Sequence, residues 1–185
     1  MELNRFYLGN FSQSSTTMVA SDPCYDEDTS TKIRGMIEGV KQGGWKAYVL
    51  KGELGGWGNR VYELQVFHEC TSPEQGNSST WVKAENFMVG VDSGQAGFFD
   101  RSKYPFDDIG EYDDEGSFYG KVCKLTLGAP GAGIVEGFGA VSSSGMGDGG
   151  YDCFLMKNWN DEIIGAKIIF IDSDEENELT EGIEE

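Results

Sequence analysis

Apolar and polar residues alternate along several short stretches of the chain, and this period of two is typical of β-strands. In residues 60–69 (RVYELQVFHE), Tyr62, Leu64 and Val66 fall on one face. Residues 163–171 form a β-branched run that is too short and too interrupted by glycine for a helix, so they predict a largely buried strand. Further strands are predicted at residues 45–50, 81–91, 121–127 and 134–141.

Residues 31–40 fit two patterns. Their apolar positions match one face of a helix, but Gly35 and Gly39 each weaken a helix by about 1 kcal/mol, so we favour a strand. Glycine-rich turn signals separate the apolar runs, and no long amphipathic helix is evident. Roughly eight short strands predict a mainly β domain over residues 5–171, built as a β-sandwich or open barrel of short antiparallel strands.

Acidic residues dominate the charge of the chain. Its 32 acids and 14 Lys or Arg residues give a formal net charge of −18. Eight of these acids and no base lie in residues 172–185, and a segment of like charges cannot bury surface, so it predicts a disordered, solubilising tail. The remaining 24 acids against 14 bases still leave a negative domain, which argues against binding to nucleic acid or to an anionic membrane.

The four cysteines favour a reducing compartment. Cys24, Cys70, Cys123 and Cys153 lie tens of residues apart with no CxxC pair, which excludes an ordinary zinc ribbon or thioredoxin-like motif. The first residues lack the basic and then apolar pattern of a secretory signal, and no apolar stretch reaches the length of a membrane span. We therefore expect a cytoplasmic protein with reduced thiols.

Three segments carry more specific residues than ordinary turns require. They are 21–25 (SDPCY), 91–100 (VDSGQAGFFD) and 144–151 (SGMGDGGY), and each places a short acid beside small residues at the end of an apolar run. An aspartate in such a position can bond the amides of its own turn, hold a cation, or act as an acid or base.

With these three motifs the chain resembles the DUF4241 family, a bacterial and phage domain of unknown function. The resemblance covers roughly residues 17–171, and SGMGDGGY is its most specific part. It implies a shared fold and a set of shared positions, but no reaction. Carried over residue by residue, the positions of a ligand-binding site are Asp22, Asp92, Ser93, Gly94, Asp100, Gly145, Asp148, Gly149 and Tyr151.

The aspartates allow two interpretations. Asp92, Asp100 and Asp148 could together offer oxygen ligands to Ca²⁺ or Mg²⁺ if their loops converge. Alternatively, each aspartate caps its own turn, and we favour this interpretation because no EF-hand spacing occurs in the chain. The glycine clusters at 128–133 and 145–150 are interpreted as turns, since neither has the lysine or the helix N-terminus of a phosphate cradle.

Nucleophilic catalysis finds little support. The one histidine, His68, shares a strand face with apolar residues and is interpreted as a satisfied core or rim residue. Acids flank Cys24 and would raise the pKa of its thiol, and no GxSxG motif is present. The large aromatic residues are expected to fill the space between two sheets rather than to line a groove. They are Trp45, Trp57, Trp81, Phe98, Phe99 and Trp159.

Three hypotheses of function follow. The leading one is a non-catalytic binding domain of bacterial or phage cytoplasm, which holds a protein or small molecule where the loops of Asp92 and Asp148 approach each other. The second is a divalent-metal-dependent hydrolase, in which Asp92, Asp100 and Asp148 hold the metal and a metal-bound water is the nucleophile. In the third, the motif loops form a homo-oligomer interface and have no other role.

Overall fold

Two antiparallel sheets form the framework of the computed structural model, which describes residues 2–76 and 81–172. Two α-helices in this part of the chain are α1 (Pro73–Gly76) and α2 (Phe118–Leu127), and a 3-10 turn spans Gly55–Trp57. The strands among the described residues are β1 (Asn4–Gln13), β2 (Thr17–Ser21), β3 (Gly35–Glu38), β4 (Gly43–Glu53), β5 (Asn59–His68), β6 (Trp81–Lys83), β7 (Val89–Val91), β8 (Gln95–Asp100), β9 (Ala132–Val135), β10 (Gly139–Ser143), β11 (Gly149–Lys157) and β12 (Ile163–Ile169).

The larger sheet has the strand order β1-β4-β5-β12-β11-β6, and β7 pairs with β11 beside it. The smaller sheet has the order β3-β2-β8-β10-β9. Neither order returns to its first strand, so the sheets stay open. The mainly β fold predicted from the sequence is confirmed as two open antiparallel sheets and not a closed barrel.

The main core lies between the two sheets. Successive residues of β2 point to opposite faces, so Met18 and Ala20 face this core while Val19 faces away from it. From the larger sheet, Trp45 and Leu64 pack into the same core. Trp45 and Phe98 lie in this core as predicted, but Phe99 is buried on the other face of the smaller sheet. Trp81 is partly buried, and Trp57 and Trp159 are exposed.

A second, smaller core lies on the outer face of the smaller sheet, under α2. Phe99 and Val19 contribute to it from the sheet, and Phe118 and Val122 contribute from the helix. The rings of Phe99 and Phe118 meet edge to face with centroids 5.7 Å apart. Both faces of β2 and β8 are therefore covered, which explains why every residue of these two strands is buried.

The strand predicted at residues 121–127 is wrong, because these residues belong to helix α2. The Oγ of Ser117 accepts a hydrogen bond from the N–H of Gly120 at 2.9 Å and caps the helix N-terminus. Phe118 and Val122 lie four residues apart, so they share one helix face. Val122 and Cys123 are adjacent buried residues, a pairing that fits a helix better than a half-buried strand.

Two other predicted strands are each divided in the structure. Residues 134–141 contain the end of β9, a chain reversal and the start of β10, and Glu136 and Gly137 both have positive φ in that reversal. Residues 81–91 contain β6 and β7 with an irregular segment between them. The strand favoured within residues 31–40 is confirmed for β3.

The predicted acidic tail lies outside the described residues, except for Asp172. Among the residues that the structure describes, neither helix has the length and apolar character needed to cross a membrane.

Candidate functional site

Asp22 directly follows β2 and is completely buried. Its Oδ1 accepts hydrogen bonds from the Cys24 N–H at 2.8 Å and from the Ser93 hydroxyl at 2.7 Å. Its Oδ2 accepts from the N–H groups of Asp92 at 2.8 Å and of Ser93 at 2.7 Å. Four donors therefore occupy this carboxylate, which both caps its own turn and fastens that turn to the loop before β8.

Asp92 lies beside this anchor but is exposed to solvent. Its Oδ2 accepts a hydrogen bond from the Tyr25 hydroxyl at 3.0 Å. Burial raises the pKa of Tyr25, and the hydrogen bond to Asp92 raises it further. Tyr25 therefore stays protonated at neutral pH and serves as a fixed donor to Asp92.

The Cys24 thiol is half-buried in the same region. Burial raises its pKa well above the ordinary value for a thiol, and the nearby Asp22 carboxylate raises it further. A neutral thiol is a poor nucleophile and a poor metal ligand. The sequence-based argument against Cys24 as a catalytic residue rested on the same acids.

Asp100 lies at the opposite end of β8 from the Asp22 anchor. Its buried carboxylate accepts hydrogen bonds from the Ser14 N–H and hydroxyl, and from the Ser102 N–H at 3.0 Å and hydroxyl at 2.9 Å. Burial raises the pKa of Asp100, but these hydrogen bonds outweigh burial and lower the pKa to about 2. Asp100 therefore anchors the loop after β1 to the end of β8.

The structure does not bring the predicted metal ligands together. Asp92 precedes β8 and Asp100 is its last residue, so the length of this six-residue strand, roughly 16 Å, lies between them. Asp148 lies on the Asp92 side, because its neighbour Gly149 pairs with Val91. Within residues 2–76 and 81–172, no three His, Cys, Asp or Glu side chains form a group that could hold a metal ion. Asp100 is therefore not part of a common site with the other two.

The loops of Asp92 and Asp148 do lie side by side. The Ser144 N–H donates to the Gly94 carbonyl at 3.0 Å, and Gly149 pairs with Val91 across β11 and β7. Within the second loop, the Tyr151 hydroxyl donates to the Gly147 carbonyl at 2.7 Å. The Asp148 side chain is exposed, and its loop is held in place by these contacts of the neighbouring residues.

A cavity of about 470 Å³ opens beside these loops, and we call it the glycine-loop cleft. One wall is formed by Gly94 and residues 143–147, and a second by residues 127–131 at the end of α2. The two glycine clusters seen in the sequence thus face a common space. Strands β4 and β5 supply the remaining lining residues, Lys51, Asn59, Arg60 and Val61.

Lys51 and Arg60 are the basic residues of the glycine-loop cleft, and sequence analysis missed both. Lys51 Nζ donates to the Pro130 carbonyl at 2.7 Å, and Arg60 Nε donates to the Trp57 carbonyl at 3.0 Å. Both side chains are half-buried, and neither lies within 4.0 Å of a carboxylate in the part of the chain that the structure describes. In the sequence they are separated from the glycine clusters by tens of residues, so only the fold reveals the association.

His68 is held as a structural residue. Its Nδ1 accepts a hydrogen bond from the Cys70 N–H at 3.1 Å, so Nε2 carries the proton and donates to the Gln42 carbonyl at 3.0 Å. The ring packs edge to face against Trp45 with centroids 5.8 Å apart. The interpretation of His68 as a satisfied core or rim residue is confirmed.

The nine predicted site residues separate into three groups. Asp22, Ser93 and Asp100 hold loops together, and Gly94 and Gly145 line the glycine-loop cleft. Asp92, Asp148, Gly149 and Tyr151 belong to the adjoining segments but are not among the residues that line the cleft. Comparison with family models, curated proteins and solved structures found no match to this chain. The resemblance to DUF4241 stays a prediction.

Proposed function

We propose that this chain is a non-catalytic binding domain that holds a small molecule in the glycine-loop cleft. The proposal rests on one observation: Gly94 and residues 144–147, from two separate loops, line the same cavity of about 470 Å³. These loops belong to two of the three motifs that the sequence singled out. Small-molecule sites in proteins typically enclose about 300–1,000 Å³, so the volume suits such a ligand.

The lining of the cleft favours binding over catalysis. It contains no carboxylate, imidazole or thiol among the described residues, and these are the usual sources of a general base or an activated nucleophile. Of its two serines, Ser144 donates its hydroxyl to the Gly147 carbonyl at 2.8 Å. Of the candidate catalytic residues, Asp22, Asp100 and His68 are engaged with structural partners, and the exposed Asp92 and Asp148 are not among the residues that line the cleft.

The shape and rim of the cleft favour a small molecule over a protein partner. The space is concave, with walls on β5, on the end of α2 and on the loop before β11. Leu127 and Met146 line it and are exposed, so they provide an apolar rim for the uncharged part of a ligand. The four cysteines are free, which supports a cytoplasmic location, and the DUF4241 resemblance supports a bacterial or phage source.

A screen of bacterial metabolites by thermal shift tests this proposal. The library should contain neutral, cationic and anionic compounds, since a ligand that binds only the folded state raises the melting temperature. Each hit is then titrated into the double variant Leu127→Trp/Met146→Trp, which narrows the cleft at two exposed positions. The control is Val82→Trp, which adds the same ring at an exposed position on β6, outside the cleft.

We expect at least one compound to bind, with an affinity at least tenfold lower in the double variant and unchanged in Val82→Trp. The proposal is contradicted if no compound raises the melting temperature. It is equally contradicted if every hit binds the double variant as tightly as the unaltered protein.

A further inference from the structure

We infer that the glycine-loop cleft recognises an anionic group, a phosphate or carboxylate of the bound small molecule, through Arg60 and Lys51. This inference rests on the proposed function, because it concerns the same cleft. It also reverses the interpretation of the glycine clusters as plain turns, which rested on the lack of a lysine or a helix N-terminus beside them in the sequence.

The local charge of the cleft is opposite to that of the protein. The chain has 32 acids and 14 Lys or Arg residues, yet the 15 lining residues within the described part of the chain include two bases and no acid. A set of lining residues with the average composition of the chain would carry two or three acids. A cleft of reversed sign inside an acidic molecule concentrates anions at that one place, because field lines focus in a low-dielectric concavity.

The two bases, Lys51 and Arg60, have no carboxylate partner among the described residues, unlike seven of the twelve other Lys and Arg residues of the chain. Each uses one N–H on a backbone carbonyl, which positions the side chain and leaves its other donors available. A bound anion would accept charge-assisted hydrogen bonds from these remaining donors.

The position of the anion within the cleft follows from its two walls. The C-terminal end of α2 borders one wall, and its carbonyl groups carry partial negative charge that disfavours an anion there. Lys51 lies at this wall, bonded to the Pro130 carbonyl. On the opposite wall the backbone of Arg60 lies near Gly145, because the carbonyl of the next residue, Val61, would lie 3.0 Å from a Cβ at Gly145.

Backbone donors add to this second wall. Gly145 has a φ of +66°, which opens the turn after Ser144. The N–H groups of Gly145 and Met146 donate to no other residue in the ranges 2–76 and 81–172. Unpaired amides beside a residue with positive φ are the elements of an anion-binding nest. The anion is therefore expected between the Arg60 guanidinium and the turn at residues 144–147.

Matched pairs of probes test the inference. The phosphate arm compares adenosine 5′-monophosphate with adenosine, and the carboxylate arm compares benzoate with benzamide. Affinities are measured by isothermal titration, and amide chemical shifts of Gly94 and residues 144–147 report whether each probe lies in the cleft. The variants are Arg60→Gln and Lys51→Gln, with Arg101→Gln as the control that removes the same charge from an exposed base beyond the far end of β8.

In at least one arm, we expect the anion to bind the cleft at least tenfold more tightly than its neutral partner. Arg60→Gln should lower that affinity at least tenfold and Lys51→Gln severalfold, while Arg101→Gln changes it less than twofold. The arm that responds identifies the anion as phosphate or carboxylate. If neutral and anionic probes perturb the cleft with equal affinity, the inference fails and the proposed function stands. If no probe perturbs the cleft and the metabolite screen also finds no ligand, both fail.

Discussion

Ser93 is bound to Asp22 twice, through its backbone N–H to Oδ2 and through its hydroxyl to Oδ1, each at 2.7 Å. The two residues are 71 positions apart in the chain. The loop before β8 is thus fixed to the turn after β2, and Gly94 enters the glycine-loop cleft directly beyond this contact. The anchor positions the cleft without being part of it.

The four hydrogen bonds to Asp22 predict that even the small substitution Asp22→Asn strongly lowers the free energy of unfolding. Asp22→Asn replaces one acceptor oxygen by an amide that faces backbone N–H donors, so at least one buried donor loses its partner. We expect the free energy of unfolding at pH 7 to fall by roughly 3 kcal/mol. Urea denaturation measures it. Asp148→Asn is the matched control, because its exposed side chain should change stability by less than about 0.5 kcal/mol; equal effects of the two variants would refute the anchor.

Asp100 predicts a pH-dependent contribution to stability. Its folded pKa of about 2 lies below the value near 3.9 of an unfolded aspartate, so the ionised carboxylate stabilises the fold above about pH 4. This contribution is lost as the pH falls from about 4 towards 2. Asp100→Asn should therefore lower the free energy of unfolding by roughly 2 kcal/mol at pH 6.5 and by clearly less at pH 3. Chemical denaturation of both proteins at the two pH values measures the difference, and a difference that grows on acidification would contradict the assignment.

Alanine substitutions at Gly145 and Gly58 distinguish the cost of backbone strain from the cost of steric crowding. Both have positive φ, +66° and +72°, so alanine at either position is strained by about 1 kcal/mol. A Cβ at Gly58 meets open space, whereas a Cβ at Gly145 would lie 3.0 Å from the Phe170 Cβ and from the Val61 carbonyl. We expect Gly145→Ala to cost at least about 1 kcal/mol more than Gly58→Ala in thermal or urea unfolding. Equal costs would mean that the loop has room to move away from β12.

The four thiols should differ in reactivity. Cys70 is exposed and should react with iodoacetamide first at pH 8. Burial raises the pKa of the Cys24 and Cys153 thiols, and Asp22 adds to the effect at Cys24, so both should remain largely unmodified over the same time. Mass spectrometry of peptides from timed samples gives the order, and a urea-unfolded sample is the control in which all four should react. Modification of Cys24 as fast as Cys70 would show that its thiol is not suppressed.

The alternation of apolar and polar residues predicted a strand well where the two faces of that strand lie in different surroundings. β5 is the clearest case, with Leu64 and Val66 on the face that it presents to the main core. The apolar spacing gave the wrong prediction, a strand, at α2. A ten-residue helix with adjacent buried residues has too few apolar positions to distinguish a helical from a strand spacing. The cap at Ser117 was the missed signal. The reversal at Glu136 was missed because Glu rarely adopts positive φ.

The candidate site was only half predictable. Sequence motifs identified the loops of Asp92 and Asp148, which the structure places side by side. The motifs could not show that Asp22 and Asp100 hold loops together by hydrogen bonds. An aspartate in a turn has the same sequence context whether its oxygens accept from backbone amides or face solvent. Lys51 and Arg60 carry no motif at all. They reach the cleft because β4 and β5 are neighbours in the larger sheet, a pairing that depends on the whole topology.

Strand β2 is fastened to β8 at both of its ends, by Ser14 to Asp100 before the strand and by Asp22 to Ser93 after it. These contacts join positions 86 and 71 residues apart, so neither can form until the intervening chain has closed on itself. Folding is therefore expected on the millisecond-to-second scale of proteins dominated by nonlocal pairing. Once formed, the pair of strands β2 and β8 should be the last part of the fold to open. Its amide protons should be the slowest in the molecule to exchange with deuterated solvent.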